Sequence, residues 1–164
     1  MKKYCLDLTV KAVEHLNEKY VLLRLTDNIS LPEMLPGQFV EIKVEGSPNT
    51  YLRRPISIHY VDRENNELWL LVATIGDGTK AMAALQPGEK MNVVLPLGNG
   101  FTIAVGKTLL VGGGVGVAPL LYAGKAIKEL GGEPVFLLGA RTRKDLLELE
   151  KFREVGRVFL TTED

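Results

Sequence analysis

The hydrophobic pattern of the chain changes once, near Val105-Gly106, and that change limits the folds open to it. Up to about residue 104 the β-rich runs are short: 4–14, 19–26, 38–44, 54–61, 67–75, 90–94 and 101–103. Turn signals separate them, among them Leu35-Pro36-Gly37, Gly46-Ser47-Pro48-Asn49, Glu64-Asn65-Asn66 and Gln86-Pro87-Gly88. Many short strands with regular turns predict an antiparallel barrel or sandwich. One short helix is expected at 79–85, after Gly76-Asp77-Gly78. From Lys107 the order becomes strand 108–113, helix 118–130, strand 134–140, helix 144–155 and strand 157–161. These strands are continuous apolar runs, which predicts a parallel sheet covered on both faces. The reading is a β domain over 1–104 and the start of an α/β domain over 105–164, with no internal repeat or long linker.

Composition narrows the function classes. The 164 residues are 46% hydrophobic, with 20 basic against 20 acidic side chains, and the mean hydropathy is +0.08. A nucleic-acid-binding chain would show a basic excess or face, and none is visible. No apolar run approaches the ~18 residues of a membrane span. The N-terminal MKKYCLDLTV lacks the apolar stretch of a signal peptide, so a cytoplasmic protein is expected. Cys5 stands alone, so neither an internal disulfide nor a cysteine-held metal site is expected. Nothing marks His15 or His59 as a ligand or base.

Two stretches carry chemistry. In LLVGGGVGVAPLL (109–121) a strand runs into glycines and then a helix, where a dinucleotide phosphate can rest. The G-x-G-x-x-G spacing fails, because Val117 stands at its third glycine. The glycines therefore fit either a tight turn or a loop admitting a flat ring better than a diphosphate cradle. In TYLRRPISIHY (50–60), Arg53 and Arg54 adjoin a proline inside a strand. Alone they read as two solvated charges. A hairpin around 64–66, however, would set Ser57 opposite Ala73, bring Val72–Thr74 alongside 54–57, and lead into Gly78-Thr79 at a helix start. Arg54 and that helix start can then clamp one diphosphate, with Pro55 bending the strand so that Arg54 and Ser57 serve one ligand.

Arg54-Pro55-Ile56-Ser57 resembles the flavin-binding R-x-Y-S motif of the ferredoxin–NADP reductase superfamily. LRRPISI as a whole is similar to the branch of electron-transfer subunits of type B dihydroorotate dehydrogenases. Gly78-Thr79, Pro96-Leu97-Gly98-Asn99-Gly100-Phe101, Gly112–Leu120 and Leu138-Gly139-Ala140-Arg141 follow in the family's order and cover nearly the whole chain. The resemblance implies a FAD-binding β-barrel followed by a Rossmann-like NAD(H)-binding sheet, present only in its N-terminal part. It implies that Arg54, Pro55, Ile56 and Ser57, with Val72, Ala73, Thr74, Gly78 and Thr79, bind the flavin. Ser57 would lie beside flavin N5, and Ile56 would replace the usual aromatic residue. Gly112, Gly113, Gly114, Gly116, Ala118 and Pro119 would admit nicotinamide. No acid–base residue is expected, because the flavin carries the redox chemistry.

The function implied is electron transfer between NAD(H) and a partner dihydroorotate dehydrogenase catalytic subunit in a hetro-oligomer serving pyrimidine biosynthesis. Another NAD(P)H–flavin reductase subunit of the superfamily, or a cofactor-free docking module, is the alternative. Arg141 and Arg143 keep NADP(H) open. In the family a later cysteine cluster holds a [2Fe–2S] centre. This chain stops at Asp164 without those cysteines, so a C-terminally truncated subunit is expected, with its first parallel strand at a sheet edge.

Overall fold

A computed structural model describes residues 2–164. Six antiparallel strands close a barrel: β1 (Tyr4–His15), β2 (Tyr20–Thr26), β3 (Phe39–Ile42), β4 (Arg54–Asp62), β5 (Glu67–Ala73) and β6 (Lys90–Leu97), in the order β1-β2-β5-β4-β3-β6. Helix α1 (Asp77–Ala83) lies between β5 and β6. Beyond the barrel come β7 (Lys107–Gly113), a 3-10 turn (Gly114–Val117), α2 (Leu120–Glu129), β8 (Glu133–Ala140), a second 3-10 turn (Arg143–Asp145), α3 (Leu149–Val155) and β9 (Arg157–Thr162). These last strands form a parallel sheet, β7-β8-β9.

Alternating side chains fill the barrel. Val21, Leu23 and Leu25 of β2 and Leu68, Leu70 and Val72 of β5 point inward. Between them, Leu71 points outward into a second core, where it meets Val117, Leu121, Phe136 and Phe152. Buried faces on both sides explain why these two barrel strands read as nearly unbroken apolar runs. The second core ties barrel and parallel sheet together.

The outer barrel wall holds a fully buried carboxylate. Glu67 accepts hydrogen bonds from Arg24 Nε (2.8 Å), Arg24 Nη2 (3.0 Å) and Trp69 Nε1 (2.8 Å), and pairs with Lys11. Burial pushes its pKa up, but the donors from Arg24, Lys11 and Trp69 outweigh it and hold the carboxyl at about 2 against an ordinary 4.5. The pair therefore adds stability that is complete above the ordinary value and is lost as pH falls toward 2. In Glu67→Gln the loss of stability between pH 5 and pH 2 should flatten, and stability at neutral pH should drop by about 3 kcal/mol. Urea melts across that pH range measure both.

The sheet departs from expectation in one respect. Both crossover helices lie on the same side, where Leu110, Phe136, Leu138 and Val158 pack beneath them. Two successive right-handed crossovers in one direction place their helices on one face. On the other face Leu109, Val111 and Phe159 are exposed, so the sheet is covered on one face only among the described residues. Among the described residues β7 is an edge strand, as expected. Other local differences are smaller. No strand forms at 101–103; Phe101 instead donates its N–H to Pro36 O (2.7 Å), and its ring fills the space above Gly37 (φ +92°). The helix expected over 144–155 begins only at Leu149, because Asp145 is held by Lys19 and Thr142.

Candidate cofactor-binding site

The first cleft, about 340 Å³, lies where β4 begins and β5 ends. Arg54 opens β4 opposite Ile42 of β3, while the β4–β5 ladder starts only at Ile58–Leu70. Pro55 thus occupies a stretch paired on one side, where a missing N–H costs little. It leaves β4 a continuous strand from Arg54 to Asp62.

Arg54 faces Ala73, Ile75, Gly76 and Gly78 across this cleft. It has no hydrogen-bond or ion-pair partner among the described residues and is the only cation among the lining side chains; Asp77 adds a carboxylate at the rim. Gly78 is needed for close approach. A Cβ there would stand 3.0 Å from Thr50 Cγ2 and 3.3 Å from Arg54 Cδ. The Thr79 hydroxyl is spent on its own helix, donating to Gly76 O (3.0 Å) and accepting from Gly76 N–H (3.1 Å). Arg53 is committed elsewhere. It donates to Asn92 Oδ1 (2.5 Å), Asn92 O (3.2 Å) and Glu41 O (3.4 Å), stapling β3 to β6.

The second cleft, about 680 Å³, opens at the C-terminal ends of β7, β8 and β9, the edge where open α/β sheets bind ligands. Gly113, Gly114, Gly139, Arg141 and Thr161 line it, and Tyr20 and Lys19 bring in the barrel. Lys19 Nζ binds Asp145 Oδ2 at 2.8 Å. That bond holds the Asp145 carboxyl below its ordinary range and raises the Lys19 ammonium. Ile75, exposed, lines both clefts. The sequence reading missed it because an isoleucine after a strand carries no chemical signature.

The remaining expected residues divide. The β4–β5 register shifts between Ile58 and Tyr60, leaving His59 as the extra residue, so Ser57 is not opposite Ala73. Ser57 pairs with Phe39 and lines neither cleft. Ile56 packs against the barrel core, and Val72 is buried within it, leaving Val72 only its backbone for contact with a ligand. Thr74 donates its N–H to Lys19 O (2.8 Å) and lies outside both clefts. Gly112 serves the chain's own packing, since a Cβ would stand 2.7 Å from Leu120 Cδ1. Gly114 adopts φ +54°, and space is open around Gly116. Ala118 is buried and Pro119 caps α2.

A closed antiparallel barrel joined to a parallel three-stranded sheet is the ferredoxin reductase-like fold. The chain's overlay on an NADH-dependent reduced ferredoxin–NADP oxidoreductase, described for flavin-based electron bifurcation, has a TM-score of 0.84 at 29% identity, covering 95% of this chain and 56% of that one. Phthalate dioxygenase reductase shares the fold, with a TM-score of 0.80 at 19% identity over 97% of this chain and 52% of that one.

In sequence the chain is similar to the electron transfer subunit of dihydroorotate dehydrogenase B (NAD+). It is 40% identical over 136 residues to that of Lysinibacillus sphaericus (strain C3-41), covering 80% of this chain and 53% of the relative. To that of Bacillus caldolyticus it is 34% identical over 161 residues, covering 96% and 63%. The chain therefore spans about half to three-fifths of the length of these curated relatives. No family model matches it. No helix among the described residues is long and apolar enough to cross a membrane.

Proposed function

We propose that the chain is the FAD- and NAD(H)-binding part of a cytoplasmic electron-transfer subunit, passing electrons between NAD(H) and a dihydroorotate dehydrogenase catalytic subunit in pyrimidine biosynthesis. The observation that carries this reading is the unpaired Arg54 guanidinium set over the Gly76–Gly78 turn, in a cleft that shares Ile75 with the cleft at the ends of β7–β9. A free guanidinium beside a close-approach glycine suits a phosphate ester. The backbone N–H groups of Asp77 and Gly78, rather than the committed Thr79 hydroxyl and Gly76 N–H, are the donors left to assist Arg54. The second cleft, with its glycines and open Gly116, suits a pyridine nucleotide. The flavin supplies the chemistry of exchanging a hydride for single electrons.

On this reading Ser57, half-buried on the outward face of β4, stands by the flavin ring. Ala73 lines the ring's phosphate side. A [2Fe–2S] centre belongs to the same proposal only for the longer relatives, because one cysteine cannot hold a cluster.

The test is titration of the purified chain with FAD, read by absorbance and by quenching of flavin fluorescence. Arg54→Gln should weaken FAD binding by about a hundredfold, the loss of one charge-assisted phosphate contact, with thermal stability unchanged. A chain that stays colourless in excess FAD sinks the proposal and leaves a docking module.

A further inference from the structure

The mechanism above makes no use of His59, yet this is the residue that the fold goes furthest to place. Tyr60 pairs with Trp69 and Ile58 with Leu70, so His59 is the extra residue of a β-bulge in β4. Bulges re-aim side chains and recur beside active sites. Ile58 and Val61 point into the barrel core, while the bulge lets both His59 and Tyr60 face the parallel-sheet unit. The imidazole is fully buried there, with Phe152 edge-on at 6.5 Å between ring centroids.

Its bonds reach the glycine loop. Nδ1 lies 2.6 Å from the carbonyl oxygen of Ala118. A carbonyl only accepts, so Nδ1 carries the hydrogen and donates it. Nε2 has no hydrogen-bond partner and faces Glu148 Oε2 at 3.9 Å. That carboxylate is buried and paired to Lys151 Nζ at 2.6 Å. Glu148 itself is held at φ +53°, a conformation uncommon outside glycine and asparagine. Backbone strain of this kind persists where surroundings over-determine it.

The turn between Gly113 and Ala118 is held at its two ends and by Val117. At one end Gly113 is held in the β7–β8 ladder opposite Gly139. In the middle a Cβ on Gly116 would meet nothing within 4 Å, and Val117 is packed into the second core. At the other end Ala118 N–H donates to Val115 O (3.0 Å), and Ala118 O accepts from His59. The His59 bond is thus the polar tether between this loop and the strand bearing Arg54 and Ser57.

We infer that His59 is a positioning residue for the pyridine nucleotide: through Ala118 O it fixes the Gly113–Val117 loop against the flavin-binding strand β4. The inference rests on the functional reading above and adds to it a residue that touches neither ligand. Its chemistry is directional, because only a donor at the Nδ1 position can hold Ala118 O.

Three variants of the FAD-loaded chain test it. His59→Leu keeps a buried apolar filling and removes the donor. His59→Gln carries its amide one carbon further, toward Glu148, and also leaves Ala118 O without its donor. His59→Asn places an N–H where Nδ1 stood. Flavin absorbance should be unchanged in all three. NAD+ titrated onto the oxidised protein should bind about tenfold more weakly to the Leu and Gln variants, as loss of one buried hydrogen bond predicts. With NADH and an artificial electron acceptor, the same two variants should raise KM about tenfold and leave kcat within about twofold. Asn should restore both. A purely space-filling role would give Leu the mildest effect and Asn no rescue, and that ordering overturns the inference. Flavin colour together with NAD+ binding insensitive to Leu and Gln also overturns it. Absence of both flavin colour and NAD+ binding in the unchanged chain overturns the functional reading itself, and the inference with it.

Discussion

Replacing Gly78 with valine should leave a folded chain that no longer takes up flavin. The Cβ alone would stand 3.0 Å from Thr50 Cγ2, 3.2 Å from Thr50 Oγ1 and 3.3 Å from Arg54 Cδ. All three contacts are to side chains, so the backbone need not move. Thr50 has little freedom, because its hydroxyl is bound to Ser47 Oγ at 2.7 Å. Arg54, which has no partner, must give way, and the two added methyl groups then occupy the space between its guanidinium and the turn. Helix propensity works the other way, since valine suits a helix interior slightly better than glycine, and the fold should survive. The expected result is a cooperative melt within about 1 kcal/mol of the parent and a loss of FAD affinity of at least the about hundredfold assigned to Arg54 alone. Absorbance after incubation with excess FAD and gel filtration measures the second. Uptake of flavin at parental affinity would show that this turn lies away from the phosphate.

How far the sequence leads depends on whether a feature is set locally. The β4–β5 hairpin was legible because Glu64-Asn65-Asn66 is a turn signal between two apolar runs, and Asp62 does pair with Glu67. Its register beyond Tyr60 was not, because the bulge at His59 is set by packing against the second unit. That Arg54 and Gly78 line one cleft was legible, since a short hairpin joins them. Arg53 was not separable from Arg54 in sequence. Only the fold shows that Asn92, distant in sequence, takes it. The start of α3 was misplaced for a similar reason. Residues 144–148 have adequate helix propensity, but the ion pair of Asp145 with Lys19 across the two units overrides it. Coverage of the sheet was misjudged because a run of apolar residues marks a strand without saying which of its faces finds a partner.

Gly156→Ala should be the most destabilising single methyl group in the parallel-sheet unit. The residue has φ −163° and ψ −175°, extended backbone open to alanine, so conformation is not the obstacle. Space is. A Cβ would stand 2.2 Å from the carbonyl oxygen of Pro134 and 3.1 Å from its carbonyl carbon. Both atoms are backbone, and Pro134 sits in β8 opposite Thr108 of β7 and next to the Val135–Arg157 pair that begins the β8–β9 ladder. Relief therefore requires β9 to move off β8 at the first pair. Overpacking of this kind costs about 3 kcal/mol, which for a chain of this size lowers Tm by roughly 6–12 °C. Gly131→Asn is the matched control. Gly131 has φ +80° with nothing near its missing Cβ, and asparagine tolerates that conformation at a helix end, so its Tm should stay within about 3 °C of the parent. The effect should also reach the site. Thr161 and Thr162 at the far end of β9 line the larger cleft, whereas Arg54 and Gly78 belong to the barrel. At temperatures where the Gly156→Ala chain is folded, NAD+ binding should therefore weaken while flavin colour persists. Equal loss of both would mean that barrel and sheet unfold as one unit through the shared core around Leu71 and Phe136.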